Sequence, residues 1–377
     1  MTTLTAAPAG RPYGLWQSPI TPTMLAQGLR LPDVAWDTDG ETLVWLEGRS
    51  DRGVLVCARL DDPAPRDLTS DLSVRAMVGY GGGDFAVGHG HVYFISGGRL
   101  YRQPLAGGTA RPITPAFGNA AAPALSPDGR RLLFVHSYED QDVLAVVDAE
   151  GATWPVKLVQ GRDFLMQPRW HPDGDRIAWI AWDHPRMPWD GTELWTAMLD
   201  VTGGIPRLQN AEKLTGDGET AIFQPEFSPD GGAIAYISDR TGWGQIYLHD
   251  LGSGETRQLT HGDAEHGRPA WTQGDRTYTF ADGGRRLAGV RAQSGYDRLQ
   301  TIDTRTGEAA DLSLDERYGY VEQITASPDG TRVAAVASGP AQPARVISVD
   351  LVALTPDPSP AGAGEGSLVQ PTLDSTP

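Results

Sequence analysis

Short runs of apolar residues recur along the chain and are separated by polar turns at similar intervals. The runs are rich in Val, Ile, Leu, Tyr, Phe and Trp, which favours β-strands. One class of turn carries Pro-Asp-Gly: Pro fixes φ at the bend, Asp accepts hydrogen bonds from nearby amides and Gly adopts a positive φ. Turns of this class, the two weaker variants last, are SPDG at 126–129, HPDG at 171–174, SPDG at 228–231, SPDG at 327–330, DTDG at 37–40 and TQGD at 272–275. Each turn predicts a connection between two antiparallel strands.

A second marker, usually ending in Leu-Thr, follows downstream of the turns. It occurs as RDLT at 66–69, RPIT at 111–114, EKLT at 212–215, RQLT at 257–260 and ADLS at 310–313. A further strand lies between turn and marker, so each unit is predicted to contain about four antiparallel strands. Units begin near residues 33, 83, 121, 166, 223, 267 and 321. The pattern predicts an all-β fold, a seven-bladed β-propeller of four-stranded antiparallel blades, because radial packing buries both faces of every sheet.

A two-sheet sandwich is the alternative, but it does not require the same turn to recur at so even a period. The seventh unit lacks a convincing fourth strand unless VALT (352–355) forms it. The sequence therefore allows either a complete or an incomplete last blade. The predicted organisation is an N-terminal extended segment at 1–31, the propeller at 32–352 and a disordered low-complexity tail at 353–377. The tail is rich in Pro, Gly, Ala and Ser and has little that could pack.

Composition narrows the class of protein. Hydrophobic residues make up 40% and charged residues 21% of the 377-residue chain, as in soluble globular proteins. The net charge of -17 repels phosphate backbones, so no nucleic-acid partner is predicted. Cys57 is the single cysteine, which excludes an intrachain disulfide. With neither a recognisable signal peptide nor an apolar stretch of membrane-spanning length, we expect a cytoplasmic location without membrane contact.

Several stretches carry a family resemblance. They are YGLWQSPIT (13–21), LVWLEGRSDRG (43–53), VGYGGGDFAV (78–87) followed by VYFISGGRLYR (92–102), and WDHPRMPWDGTELW (182–195). In this order they resemble the propeller half of the prolyl oligopeptidase superfamily of serine peptidases, in its acylaminoacyl-peptidase and dipeptidyl-peptidase-like branch. The resemblance covers about residues 13–351. It implies a propeller that caps a peptidase active site, admits peptides and excludes folded proteins, with an α/β-hydrolase domain or separate subunit as its partner.

The chain departs from that family in two respects. Val78 and Gly79 stand where the family usually has a His-Glu pair, so this chain lacks any contact with the partner domain that the pair makes in the family. No G-x-S-x-G motif occurs, and this is the motif that presents the nucleophile in α/β-hydrolases. The sequence is therefore interpreted as the non-catalytic part of a peptidase, truncated before the hydrolase domain and inactive alone. No catalytic residue, metal site or cofactor is predicted.

The segment 182–194 is the principal candidate site. Its side chains of interest are Trp182, Asp183, His184, Arg186, Trp189, Asp190 and Glu193. One interpretation is a long hairpin whose tryptophans pack against its own blade, with Arg186 satisfying the neighbouring carboxylates. The other is an insertion that faces the peptidase domain and helps to shape the substrate entrance, where its carboxylates attract a basic group or anchor the interface. Both interpretations stay open at this stage.

Four other motifs are better explained by structure than by chemistry. HGH (89–91) and HGDAEH (261–266) lack the cysteines and the spacing of a metal site. GYGGGD (79–84) is followed by a strand and lacks the Lys-Ser/Thr of a P-loop, so it is interpreted as a flexible bend. YEDQD (138–142) is acidic enough for a weak calcium site but is typical of a hairpin tip.

Two other functions compete with the gating propeller. A free-standing scaffold resembling TolB or WD-repeat propellers would bind peptides or proteins without a hydrolase. An enzyme with a site on the propeller axis would need carboxylates or histidines from inner strands of different blades. The predicted inner strands, VAW (34–36), PAL (123–125), PEF (225–227) and PAW (269–271), are mostly apolar, which places the axial enzyme last.

Overall fold

A computed structural model describes residues 21–26, 28–312 and 314–351. Apart from helix α1 (Pro22–Ala26) and a single 3-10 turn (Asp282–Gly284), the elements in these residues are β-strands. They form seven antiparallel sheets in which the strands pair in chain order. The predicted all-β, seven-bladed propeller is therefore confirmed.

The first blade contains β1 (Arg30–Trp36), β2 (Thr42–Gly48), β3 (Gly53–Arg59) and β4 (Arg66–Asp67). Blade 2 contains β5 (Phe85–Gly88), β6 (His91–Ser96), β7 (Arg99–Pro104) and β8 (Arg111–Pro112). Blade 3 contains β9 (Asn119–Leu125), β10 (Arg131–Tyr138), β11 (Gln141–Asp148) and β12 (Val156–Val159). Blade 4 contains β13 (Phe164–Trp170), β14 (Arg176–Trp182), β15 (Glu193–Asp200) and β16 (Arg207–Gly216).

Blade 5 contains β17 (Ile222–Phe227), β18 (Ala233–Ser238), β19 (Gln245–Asp250) and β20 (Thr256–Gln258). Blade 6 contains β21 (Tyr278–Ala281), β22 (Arg286–Gln293), β23 (Tyr296–Asp303) and β24 (Ala309–Asp311). Blade 7 contains β25 (Tyr320–Ala326), β26 (Arg332–Gly339) and β27 (Gln342–Asp350). The last sheet has three strands within the described residues, and the candidate fourth strand at 352–355 lies outside them.

The repeated turns form as their chemistry predicts. In the SPDG turn of blade 3, the hydroxyl of Ser126 donates to Asp128 Oδ1 at 2.6 Å, and the same carboxylate accepts the backbone N–H of Arg130 at 3.1 Å. Gly129 has φ +71, which is favourable only for glycine. Ser228 and Ser327 donate to Asp230 and Asp329 in the same way, so one sequence motif yields one hairpin in three blades.

The Leu-Thr marker extends the outer edge of a blade. Leu68 N–H donates to Leu55 O at 2.7 Å, and the hydroxyl of Thr69 then accepts Leu55 N–H at 3.0 Å. The same pair of bonds recurs in blades 2 and 5, where Thr114 accepts from Leu100 and Thr260 accepts from Ile246. The leucine is buried and the threonine replaces a missing ladder bond, which explains why the motif recurs.

The predicted start of the sixth unit is wrong. Its first strand, β21, begins at Tyr278 rather than near 267, and its hairpin turn is Asp282–Gly284 rather than TQGD at 272–275. PAW (269–271) therefore lies outside the strands. The apolar residues of this segment misled the assignment, because they serve a long connection that reaches the propeller axis instead of pairing in the sheet.

The predicted domain limits fall partly outside the described residues. Residues 1–20 and 352–377 are among those not described. Within the segment predicted to be extended, α1 is helical and β1 begins at Arg30. No helix in the described residues is both long and apolar enough to cross a membrane.

Candidate functional site

The predicted site loop, residues 183–192, connects β14 to β15 in blade 4. Its base is held by Arg162, whose Nε donates to Asp183 Oδ2 at 2.8 Å and whose Nη1 donates to Glu193 Oε2 at 2.7 Å. Glu193 also accepts bonds from Trp195 Nε1 at 3.0 Å and from Lys213 Nζ at 3.2 Å. Although burial opposes ionisation, these bonds lower the pKa of Glu193. Both carboxylates are therefore compensated within the blade.

Arg186 is not the partner of these carboxylates, so that part of the sequence interpretation is wrong. Its Nε donates to Gly218 O at 2.9 Å, which joins the loop to the connection between blades 4 and 5. Asp190 accepts the backbone N–H of Met187 at 2.9 Å and closes the loop on itself. Neither group is available for chemistry without losing a bond that shapes the loop.

Two aromatic contacts fix the start of the loop to blade 4. Trp182 is buried and stacks on Phe164 with ring centroids 5.1 Å apart. His184 packs edge-on against the same Phe164 at 4.8 Å, and its backbone N–H donates to Asp163 at 2.9 Å. These residues therefore support the loop rather than face an open site.

Trp189 packs against a connection that is distant in sequence. Its ring lies 4.3 Å from that of Trp271, which in turn lies 5.5 Å from the ring of Tyr80. Trp271 belongs to the connection between blades 5 and 6, and Tyr80 to the connection between blades 1 and 2. We name these three side chains the aromatic triad. Trp271 is 52% exposed and Tyr80 is 64% exposed, so the triad presents an aromatic surface to solvent.

The glycine segment 79–84 crosses one end of the central channel. Gly82 pairs with Gln273 in a parallel bridge, Gln273 N–H donates to Gly81 O at 2.9 Å, and Ala122 N–H donates to Gly83 O at 2.8 Å. A Cβ on Gly82 would lie 2.4 Å from Gln273 O, and one on Gly83 would lie 2.8 Å from Ala122 Cα. The glycines are thus required by close backbone packing among blades 2, 3 and 6. The segment is neither a phosphate loop nor a flexible bend.

Glutamines continue this network along the axis. Gln167 and Gln224 occupy bulges of β13 and β17 with φ of 50° and 51°. Gln167 Oε1 accepts Gln224 N–H at 2.6 Å, and Gln224 in turn accepts Thr277 N–H at 2.7 Å. Gln273 Nε2 donates to Leu165 O at 2.9 Å. Blades 4, 5 and 6 are therefore joined by buried amides whose hydrogen bonds cross from one inner strand to another.

Charged side chains surround the axis beside these glutamines. Arg276 pairs with Asp33 and also donates to Val34 O at 2.7 Å, while Arg169 and Glu226 project from β13 and β17. Burial raises the pKa of Asp33 and of Glu226 and lowers the pKa of Arg169, so each ion depends on its oppositely charged neighbours. This cluster therefore links blades of the ring.

Sequence reasoning missed the axial charges because it classified the inner strands by their apolar majority. PEF (225–227) contains Glu226, and Asp33 immediately precedes VAW (34–36). A usable signal was present: a Gln stands two residues before Arg169, Glu226 and Thr325 in QPRW, QPEF and QITA. The repeated Gln marks the bulge, and the second residue after it carries the variable axial group.

The motifs HGH (89–91), HGDAEH (261–266) and YEDQD (138–142) are explained by contacts within the fold. His89 contacts Pro127 O at 3.1 Å through Nε2, and His91 contacts His89 O at 2.9 Å, so HGH does not converge on a shared ligand position. His266 is buried, and burial lowers its pKa to about 4. Glu139 and Asp140 form the hairpin tip between β10 and β11.

Three other side chains stand close enough together to share a cation: His171, Asp173 and Asp175. The two carboxylates are exposed, and Nε2 of His171 contacts Gly231 O at 2.9 Å in the next blade. A Cβ on Gly231 would lie 2.4 Å from that nitrogen. The histidine ring thus serves as a contact between neighbouring turns, which accounts for its burial without a metal.

A separate groove lies beside the triad, on the blade 1 side. It has a volume of about 800 Å³ and is lined by the loop after β2 and by the connection from blade 1 to blade 2. Its side chains include Arg30, Arg49, Arg52, Arg75 and Tyr80. We name it the arginine groove. No sequence pattern pointed to it, because its arginines come from three separate segments.

Known proteins with similar sequences or structures share the propeller architecture. The family model of the TolB beta propeller domain matches residues 138–352. A TolB homolog of Chlorobium luteolum is 26% identical over 158 residues, which are 42% of this chain and 33% of that protein. The chain thus matches about a third of the length of that curated relative.

Solved structures give the wider match. A puromycin hydrolase superposes with a TM-score of 0.80 and 31% identity, over 91% of this chain and 55% of that chain. A puromycin-hydrolyzing peptidase of Mycobacterium tuberculosis superposes with a TM-score of 0.79 and 28% identity, over 90% and 55%. The chain belongs to the TolB β-propeller domain family, in the form that makes up the propeller half of prolyl oligopeptidase-superfamily peptidases.

Proposed function

We propose that this chain is the non-catalytic propeller of a serine oligopeptidase, which selects peptides and docks an α/β-hydrolase domain or subunit. The observation that carries the proposal is the aromatic triad, in which Trp189 of the predicted site loop meets Trp271 and Tyr80 from two distant connections. The superposition with puromycin hydrolase over 55% of its length supports the choice of partner.

The triad has the properties of a docking surface. Contiguous exposed aromatic surface marks sites where partners bind, and aromatic residues are enriched in protein interfaces. Met77 is 49% exposed and lies in the same connection as Tyr80, which extends the apolar surface. The loop beneath Trp189 is held by Arg162 and Arg186, so the surface is preorganised and little conformational entropy is lost on docking.

Substrate selection follows from the closed channel end. The backbone of 79–84 packs closely against Gln273 at this end, and in the proposed enzyme this crossing keeps a folded polypeptide from passing. In the proposed enzyme, a hydrolase docked on this face is shielded from folded proteins and receives short peptides from the side. The acidic residues of the loop then act by shaping the loop, since Asp183 and Glu193 are already paired with Arg162.

The first test concerns catalysis. The purified chain is incubated with a fluorophosphonate probe and with acyl-peptide substrates; we expect neither labelling nor hydrolysis. Stoichiometric labelling of this chain would end the proposal. The second test concerns peptide binding, measured by fluorescence anisotropy with fluorescein-labelled peptides of three to ten residues, a folded protein serving as the negative control. Failure of every peptide to bind contradicts the selecting role.

The third test concerns docking. The chain is mixed with the separately produced hydrolase half of puromycin hydrolase and analysed by size-exclusion chromatography. We expect a complex that Trp271→Ala weakens and that Trp154→Ala leaves intact, because Trp154 is 74% exposed but lies on blade 3, outside the triad. If the two variants weaken the complex equally, the aromatic triad is not the docking surface.

A free-standing scaffold that binds peptides or proteins is the second candidate. The observation in its favour is the match of residues 138–352 to the TolB beta propeller domain. Affinity purification with the full chain as bait distinguishes the two functions. A stable, stoichiometric partner that is not a hydrolase favours the scaffold.

A further inference from the structure

We propose that the arginine groove binds the free C-terminal carboxylate of a short peptide. The inference rests on the proposed function only in taking peptides as the ligand class. The groove itself supplies the charge, the shape and the apolar wall that such a chain end requires.

The groove concentrates cations on a chain whose net charge is -17. Arg30, Arg49, Arg52 and Arg75 line it together. Two of these are already engaged: Arg49 forms a bidentate pair with Asp67 at 2.7 Å, and Arg52 donates to Ser70 O. Neither bond involves the other two guanidinium groups.

Arg30 and Arg75 are the free pair. Both are exposed, and among the described residues neither guanidinium has a salt bridge or hydrogen-bond partner. Arg75 stands near Asp84, whose charge it favours, but that carboxyl is buried and accepts Ala76 N–H at 2.7 Å. The two arginines can therefore take an external carboxylate without breaking an internal pair, which makes a charge-assisted bond net favourable.

The remaining walls limit the ligand to a single carboxylate at a chain end. Asp51 and Asp84 also line the groove, so a polyacidic segment would meet repulsion along its length. Met77 and Tyr80 provide an apolar wall for the last side chain. The volume of about 800 Å³ lies within the range of sites that enclose small ligands.

The placement beside the aromatic triad gives the groove a role in the proposed enzyme. Tyr80 belongs both to the triad and to the groove wall, so a peptide anchored at its C-terminus extends over the docking face. Only chains whose C-terminus is free and near the docking face satisfy both contacts. Selection by the chain end thus favours short peptides over folded proteins.

The test uses the full chain and the fluorescein-labelled peptide Ala-Ala-Leu in two forms, the free acid and the C-terminal amide. Anisotropy titrations give the two dissociation constants. We expect the acid to bind at least about tenfold more tightly, as charge-assisted hydrogen bonds predict. The variants Arg30→Gln and Arg75→Gln should each reduce the preference for the acid, and the double variant should abolish it.

Arg298→Gln is the matched control, because Arg298 is exposed on β23 of blade 6, away from the groove. Thermal unfolding verifies that every variant is folded. Equal binding of acid and amide overturns the inference while leaving peptide selection standing, whereas binding of neither form contradicts both. Two further arms are an amidated peptide with internal aspartates and an oligonucleotide of equal charge. If either binds as tightly as the free acid and is equally sensitive to the double variant, the assignment to a C-terminal carboxylate is wrong.

Discussion

Arg276 and Asp33 form an ion pair although 243 residues separate them in sequence. Arg276 precedes β21 of blade 6, and Asp33 lies on β1 of blade 1, so the pair spans the position of blade 7. Nε of the same arginine donates to Ile324 O on β25 at 3.2 Å. One guanidinium therefore joins three successive blades. Together with the bond from Trp36 Nε1 to Thr325 O at 3.3 Å, it holds the two ends of the ring together.

We predict that Arg276→Met destabilises the fold by about 3–5 kcal/mol, because it leaves the Asp33 carboxylate buried without its partner. The urea midpoint of the purified variant measures the change. Arg285→Met is the matched control: Arg285 pairs with Asp282 at the surface, where screening by solvent leaves an ion pair with little net effect on stability. If the two variants lose similar stability, ring closure does not depend on the axial pair.

Gln224 gives a second prediction about the axis. Gln224→Leu keeps the size of the side chain but removes its bonds to Thr277 N–H and Tyr278 O, which are 2.7 and 2.6 Å long. Leaving these buried backbone groups without partners should cost about 2–5 kcal/mol in the free energy of unfolding. Gln293→Leu should cost less than about 1 kcal/mol, since Gln293 is exposed and makes its bonds at the surface. Urea titrations of both variants measure the contrast.

The propeller could be predicted from sequence because its signals are local and repeated. Ser126, Asp128 and Gly129 determine a hairpin by bonds within five residues, and the same chemistry recurs in other blades. Blade 6 was misplaced because its turn, Asp282–Gly284, lacks the proline, while TQGD matched the pattern by chance. A local rule fails where the turn chemistry varies.

The candidate site was predictable only in part, because its geometry depends on contacts between distant segments. The loop 183–192 was recognisable from its composition. That Trp189 would meet Trp271 and Tyr80 was not, since the three come from different connections. The arginine groove and the pair between Arg276 and Asp33 are likewise products of ring closure. They depend on which connection crosses the axis, and no periodicity encodes that choice.

The glycine crossing yields a test with an internal control. Gly83 and Gly79 have similar φ values of +61° and +56°, but a Cβ on Gly83 would lie 2.8 Å from Ala122 Cα, whereas one on Gly79 would have no atom within 4 Å. Replacing either by alanine costs about 1 kcal/mol for the positive φ. Gly83→Ala should lose at least about 1–3 kcal/mol more, from steric overlap. Differential scanning calorimetry of the two variants measures the difference; similar melting temperatures would contradict the crossing.

The contact between Trp189 and Trp271 is testable by a double-mutant cycle. The two rings pack with centroids 4.3 Å apart. The losses in the free energy of unfolding caused by Trp189→Ala and Trp271→Ala should therefore be less than additive, with a coupling energy of about 0.5–1.5 kcal/mol. Urea unfolding of the two single variants and the double variant supplies the energies. The pair Trp189→Ala and Trp154→Ala is the control, since Trp154 lies on another blade and should couple by no more than about 0.5 kcal/mol.

The raised pKa of the buried Asp84 carboxyl leads to a prediction about how stability depends on pH. Burial raises its pKa to about 6, with a further increase from Asp33 that Ala76 N–H and Arg75 oppose. Between pH 4 and 6 the folded chain thus holds a proton that the unfolded chain releases, so this group makes stability fall as pH rises. Asp84→Asn removes the effect while its side-chain oxygen can still accept Ala76 N–H. At pH 7 the variant should be the more stable by up to about 3 kcal/mol, and that advantage should vanish near pH 4.

His266 has the opposite effect on the pH dependence of stability over the same pH range, so the experiment must separate the two groups. Burial lowers its pKa to about 4, so its contribution to stability is lost as pH falls from 6.5 towards 4. The net curve of the unmodified chain is therefore flatter than either group alone would give. Because His266 is present in both chains, the difference between Asp84→Asn and the unmodified chain isolates Asp84. Unfolding titrations at pH 4, 5, 6 and 7 measure it, with the exposed Asp62→Asn as the control. If Asp84→Asn is instead less stable than the unmodified chain at pH 7, with a deficit that shrinks towards pH 4, Asp84 is ionised and stabilising in the folded chain, the reverse of what its burial requires.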